Sequence, residues 1–244
     1  MLEREVAIST NHGTMPGFAF APGEDGQWPL IIFYMDAPGL RSELMHMARR
    51  IAKQGYYVLL PDMYYRLGTI RFNLPRREET MSAVIKPCVN HAMNREHIVD
   101  DTGAMIAFAD GEPQVKTGPV GCVGYCMGGP FITWAAVAYP DRIKAAASLY
   151  GVRMVNDLEQ SPHLWIGKVR DTEMYYGFAG VDPSSPPDKI ATFKAAMEEA
   201  GVKGQVEVFE DAEHGFCFPE RGHFAPEASE IVWTRLFDLW KRNL

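Results

Sequence analysis

The chain has 244 residues, 47% of them hydrophobic and 23% charged, a balance typical of globular proteins that excludes wholesale disorder and suits one α/β domain with a substantial core. A formal net charge of −7 without any long basic run argues against a nucleic-acid partner, and apolar stretches such as Pro29 to Met35 are too short to span a membrane. The opening residues Met1-Leu2-Glu3-Arg4-Glu5 lack the apolar core of a signal peptide, and the four cysteines show no CxxC pairing, so reduced thiols and a cytoplasmic location are expected.

Apolar runs bounded by turn residues alternate with amphipathic segments, which is the pattern of a mainly parallel sheet covered by helices on both faces. Arg4 to Ser9 and Thr14 to Phe20 read as an opening antiparallel pair. Leu30 to Met35, Tyr56 to Leu60, Pro119 to Tyr125, Lys144 to Leu149, Glu173 to Phe178 and Gln205 to Phe209 read as further strands, giving about eight in all. Helices are expected over Ser42 to Gln54, Ile98 to Ala109, Met127 to Ala138, Asp188 to Ala200 and Pro226 to Arg242. In the last of these, Ile231, Val232, Leu236, Leu239 and Trp240 share one broad face. Two stretches, Tyr64 to Ala92 and Arg153 to Asp171, show no clean period and are expected as loops that shape the mouth of a pocket.

The segment Gly121-Cys122-Val123-Gly124-Tyr125-Cys126-Met127-Gly128-Gly129-Pro130 places G-x-C-x-G between a strand and a helix, with cysteine where the better-known motif has serine. A nucleophile on such a strained turn needs glycines around it, because side chains at Gly124 and Gly128 would meet backbone. The turn aims the Met127 amide at a forming oxyanion, and the helix N-terminus favours a thiolate at Cys126. A buried structural cysteine at a Gly-rich turn is the competing interpretation of this segment. Cys122, on the preceding strand, reads as core.

A base and an acid follow in the order nucleophile, acid, histidine. His214 lies just after the last expected strand, in Glu213-His214-Gly215-Phe216, whereas His12, His46, His91, His97, His163 and His223 lack that context. Asp182 follows the strand before it, in Gly180-Val181-Asp182-Pro183-Ser184, although this aspartate also suits a turn or cap.

These motifs, with Tyr56-Tyr57-Val58-Leu59-Leu60-Pro61-Asp62 and Leu149-Tyr150-Gly151-Val152, resemble the dienelactone hydrolase family over nearly the whole chain. The resemblance implies an α/β-hydrolase fold and hydrolysis of a small ester or lactone of the carboxymethylenebutenolidase type. It implies a Cys126, Asp182, His214 triad and a thioester intermediate, with neither cofactor nor metal. It further implies that Asp36 takes the place of a family glutamate that restrains the resting thiol, that the Ala37 amide is the second oxyanion donor, and that Tyr150 lies at the substrate site. The family's serine after the histidine and its nearby arginine are replaced here by Gly215 and Phe218, with Arg221 further along. Arg221, together with Arg66, Arg71, Arg76 and Arg77, is therefore a candidate for gripping a substrate carboxylate, and a solvated basic face is the alternative for the last four. Asp36 also suits a turn cap before Pro38.

Two other functions compete. A glutamine amidotransferase would need a carboxylate two residues after the histidine, where Phe216 stands. A catalytically silent binding or thiol redox-sensing protein would keep the fold and a reactive thiol yet turn over no ester. The expected partner is a small molecule, and oligomeric state is not legible.

Overall fold

The computed structural model describes residues 1–74 and 80–244. The chain opens with β1 (Leu2–Thr10) and β2 (Gly13–Ala21), joined by a hairpin. Gly13 closes it at a φ of 115°, which a residue with a β-carbon rarely adopts. Then come β3 (Trp28–Tyr34), α1 (Ser42–Ala52), β4 (Tyr57–Pro61), α2 (Met81–Ala92), α3 (Arg95–Asp110) and β5 (Val115–Tyr125). The second half comprises α4 (Gly129–Ala138), β6 (Ile143–Leu149), the short α5 (Pro162–Trp165), β7 (Glu173–Val181), α6 (Pro187–Glu199), β8 (Gly204–Glu213) and α7 (Pro226–Asn243).

Among the described residues, eight strands form one sheet in the order β1-β2-β4-β3-β5-β6-β7-β8. The first two are antiparallel to their neighbours and all later pairings are parallel. The central strands β3, β4 and β6 are almost wholly buried, as a sheet covered on both faces requires.

One face carries α1 and α7, which meet where the Arg50 guanidinium bonds Glu230 and lies 4.5 Å from the Trp233 ring centroid. Trp240 of α7 packs edge-on to Tyr56, and burying a ring of that size stabilises the fold by about 3 kcal/mol. The other face carries α3, α4 and α6. Tyr34 reaches the Thr102 hydroxyl at 2.7 Å and Tyr176 the Thr133 hydroxyl at 2.8 Å, so these tyrosines bury their rings without leaving a polar atom unpaired.

The expected elements recur with shifted ends. Helix α3 starts three residues earlier than Ile98, at Arg95, because Asn94 caps it with its side-chain oxygen accepting from the His97 amide at 3.1 Å. The stretch expected to be loop from Tyr64 to Ala92 contains α2, whose interior Pro87 interrupts the helical signal. Burial of Cys88, Val89 and Ala92 on its inner side holds the helix in place. The stretch from Arg153 to Asp171 is mostly irregular, as expected, apart from α5 and one 3₁₀ turn. No helix among the described residues is long and apolar enough to cross a membrane.

Candidate active site

Strand β5 ends at Tyr125, and Cys126 opens a 3₁₀ turn that leads directly into α4. Its φ of 53° is a left-handed conformation that a side-chain-bearing residue adopts only under constraint. Gly124 and Gly128 supply that constraint. A β-carbon on Gly124 would lie 2.0 Å from the Gly128 carbonyl oxygen, and one on Gly128 would lie 2.8 Å from that of Tyr34. The result is a partly exposed thiol at the carboxyl end of the sheet.

Register brings the other groups to it. Val181 pairs with Glu213 at the end of the β7 and β8 ladder, so Asp182 and His214 leave adjacent strands side by side. His214 Nδ1 lies 2.6 Å from Asp182 Oδ2. The second carboxylate oxygen accepts the Ser184 amide at 2.8 Å and the Ser184 hydroxyl at 2.7 Å, an Asx turn closed by Pro183. Burial alone would raise the Asp182 pKa, but the donors of His214 and Ser184 outweigh it and hold the carboxyl below its ordinary value.

The imidazole is shifted the other way. Burial would lower its pKa, yet the charge of the Cys126 sulfur and the Asp182 carboxylate prevail and raise it to about 10. Beneath the ring, Tyr150 makes an edge contact at 5.2 Å between centroids. Tyr150 is itself fully buried against Phe216 and Phe218. It was expected at the substrate site but does not line the cavity; the aromatic bed beneath His214 claims its ring.

The thiol and imidazole open into a cavity of about 470 Å³. Ala37, Pro38 and Met127 form the wall beside the sulfur, while Ile85 and Val89 of α2 and Val152 add an apolar side. Lys86, Arg153 and Arg221 also line it, and no carboxylate does among the described residues. The Ala37 amide has no acceptor among the described residues, and its carbonyl accepts the Tyr64 hydroxyl at 2.6 Å. Met127 follows Cys126 with its side chain fully buried.

Asp36 was expected to restrain the resting thiol or to cap the turn before Pro38. Its fully buried carboxylate meets Arg41 at 2.5 and 3.1 Å and Arg221 at 3.0 Å, with no hydrogen bond to Cys126 among the described residues. Arg221 lines the cavity, with one nitrogen committed to Asp36. Arg66 and Arg71 do not serve the cavity, because buried Asp101 and Asp62 hold them. Arg76 and Arg77 lie outside the described residues. The remaining histidines stand apart from the thiol: His163 bonds Ser161, His223 meets Glu213, and His12 and His91 flank His97. Among the described residues no cluster of His, Cys, Asp or Glu is arranged to hold a metal.

Sequence reasoning missed Arg41, Lys86, Arg153 and Ser184. The Asp-Pro-Ser turn was a readable signal for Ser184, since serine two residues after an aspartate commonly donates back to it. Lys86 and Arg153 sit in the two stretches without periodicity, which offered none.

Comparison with known proteins gives the family and the fold. Residues 15–244 match the model of the dienelactone hydrolase family. A Methylorubrum extorquens protein, assigned by inference as a carboxymethylenebutenolidase, is 29% identical over all of this chain and 81% of its own length. The carboxymethylenebutenolidase of Pseudomonas putida is 25% identical, with 98% of this chain and 96% of that one covered. Among solved structures, a Klebsiella pneumoniae protein described as an inferred dienelactone hydrolase superposes with a TM-score of 0.87 at 21% identity, over 98% of both chains.

Proposed function

Because the chain belongs to the dienelactone hydrolase family, we propose that it hydrolyses a small, negatively charged ester or lactone through a thioester on Cys126. The observation that carries this reading is the 2.6 Å contact between Asp182 and a His214 imidazole whose pKa is raised by the Cys126 sulfur. Below about pH 10 such an imidazole carries its proton, the form that can stabilise an attacking thiolate.

The thiolate attacks the carbonyl carbon, and the amides of Met127 and Ala37 receive the oxyanion. As the carbon–oxygen bond to the alcohol breaks, the imidazolium gives its proton to the departing alkoxide. In a lactone that alkoxide stays tethered to the acyl group. Water, deprotonated by His214, then attacks the thioester and releases the acid, returning the sulfur as thiolate. Asp182 fixes the imidazole's orientation and supports its cationic form. Three cations and, among the described residues, no carboxylate at the cavity wall favour a substrate that carries negative charge away from the scissile bond.

Cys126→Ala is the direct test. It is expected to lower turnover of an aryl ester at least a thousandfold with an unchanged melting temperature, while iodoacetamide inactivates the wild type by labelling Cys126. Activity of Cys126→Ala within tenfold of wild type sinks the reading. A wild-type protein that is labelled at Cys126 but hydrolyses no ester would instead be a thiol sensor.

A further inference from the structure

We propose that Arg41 is a positioning residue that fixes the Ala37 loop against the His214 loop, using the Asp36 carboxylate as a strut and not as a proton gate for Cys126. The inference rests on the hydrolase reading above for its kinetic consequence, but its structural basis is separate.

Arg41 is buried between two carboxylates. Its Nη1 and Nη2 donate to Asp36 at 2.5 and 3.1 Å, and its Nε and Nη2 donate to Glu43 at 2.9 and 2.6 Å. Nη1 also reaches the Gly39 carbonyl at 3.2 Å. The guanidinium lies 5.0 Å from the Phe218 ring centroid, within the range of a cation–π contact. The second oxygen of Glu43 accepts the Glu220 amide at 2.8 Å, and Arg221 closes the network on Asp36 at 3.0 Å.

Two segments far apart in sequence are thereby joined, the turn after β3 and the loop after β8. The first carries Ala37, which lines the cavity and whose amide has no acceptor among the described residues. The second carries His214. A planar guanidinium with donors in a rigid fork sets both distance and angle between the groups it bridges, which a flexible ammonium does not.

The same bonds remove Asp36 from proton traffic. Both of its oxygens are already taken by guanidinium donors, and no hydrogen bond joins it to Cys126 among the described residues. To receive or return the thiol proton this fully buried carboxylate would have to give up its guanidinium partners, leaving charge unpaired. Ala37 is therefore held from both sides: the Asp36 carbonyl, which shares a peptide plane with the Ala37 amide, accepts the Gly39 amide at 3.0 Å, and the Ala37 carbonyl, in the next plane, accepts the Tyr64 hydroxyl at 2.6 Å.

Arg41→Lys tests this with charge preserved, because outright removal would leave two buried carboxylates unpaired. Three readouts are taken on the full-length protein: aryl-ester kinetics, the pH dependence of Cys126 alkylation by iodoacetamide, and amide hydrogen exchange. The expected result is a 10- to 100-fold fall in kcat with KM within threefold, since an oxyanion donor acts mainly in the transition state. Alkylation, which forms no oxyanion, should keep its rate within twofold and its pH profile unmoved. Exchange across residues 36–39 should accelerate at least tenfold while β5 and α3 stay unchanged. A loss of kcat no larger than the loss of folded protein overturns the proposal, as does unaltered exchange at 36–39. A displaced alkylation profile would make Asp36 a gate and overturns it equally. Should the wild type hydrolyse no ester, the functional reading fails, and the exchange measurement still decides the strut.

Discussion

Asp182→Asn changes one atom and reverses one hydrogen bond. Oδ1 of Asp182 accepts two donors from Ser184, its amide at 2.8 Å and its hydroxyl at 2.7 Å. The oxygen of an asparagine stays on that side, so its NH₂ group is turned toward His214 Nδ1, now 2.6 Å from Oδ2. A donor cannot face a donor, and the imidazole is driven to the tautomer with its proton on Nε2, on the side of the sulfur. In that form it cannot take a proton from Cys126. Losing a hydrogen bond to a charged acceptor costs about 1.5–3 kcal/mol, or roughly 10- to 150-fold in rate. The wrong tautomer adds to this, for an expected fall in kcat of about 10²- to 10⁴-fold; the upper figure matches the same exchange in a serine-protease triad. The pH profile carries a second signature. A His214 pKa raised to about 10 keeps the imidazolium present below that pH and loses it as pH rises through it. Asp182 contributes to the rise, so in the asparagine variant the alkaline limb of kcat/KM should move to lower pH. Steady-state kinetics on an aryl ester from pH 5 to 11, with a melting curve as control, measures both. A kcat within tenfold of wild type, or an alkaline limb that stays in place, refutes the assignment of Asp182.

Gly128→Ala should destabilise the fold by about 1–3 kcal/mol, a drop of roughly 3–10 °C in Tm for a chain of this size. The reason is that its methyl would lie 2.8 and 2.9 Å from the backbone oxygens of Tyr34 and Met35; an unchanged Tm with full activity would contradict the elbow geometry. Lys86→Ala and Arg153→Ala should each raise KM about three- to tenfold for an ester bearing a carboxylate, and less than twofold for its neutral counterpart. Equal effects on both substrates would remove charge from the specificity argument.

What the sequence disclosed depended on whether a signal was local. Strand ends carry Cys126, Asp182 and His214, and strands announce themselves through apolar runs, so the sequence places these three residues at the carboxyl edge of the sheet. The register that joins them, Val181 opposite Glu213, follows from the parallel order of β7 and β8. Side chains whose role depends on distant partners were illegible or misassigned. Arg66 and Arg71 looked available for substrate, yet Asp101 and Asp62 hold them from other elements. The resemblance put Tyr150 at the substrate site, but its ring packs against His214, Phe216 and Phe218 and does not line the cavity. Helix α2 was obscured by Pro87 and by a helical stripe of only three buried residues, and with it Lys86.

Burial and charge act on His214 in opposite directions, and that opposition would let one imidazole serve both steps of the proposed hydrolysis, whose needs are contrary. The Cys126 sulfur leads the influences that raise its pKa, ahead of Asp182, and the protonated ring is the acid that a departing alkoxide requires. Once Cys126 carries the acyl group its sulfur is a neutral thioester, and that influence disappears. Burial, which lowers an imidazole's pKa, is then opposed by Asp182 alone. The ring becomes easier to deprotonate at the step in which water must lose a proton. The aromatic bed of Tyr150, Phe216 and Phe218 therefore does more than hold the ring in place. By excluding water it supplies the desolvation without which the change of charge on Cys126 would be screened, and the acid and base roles would not separate.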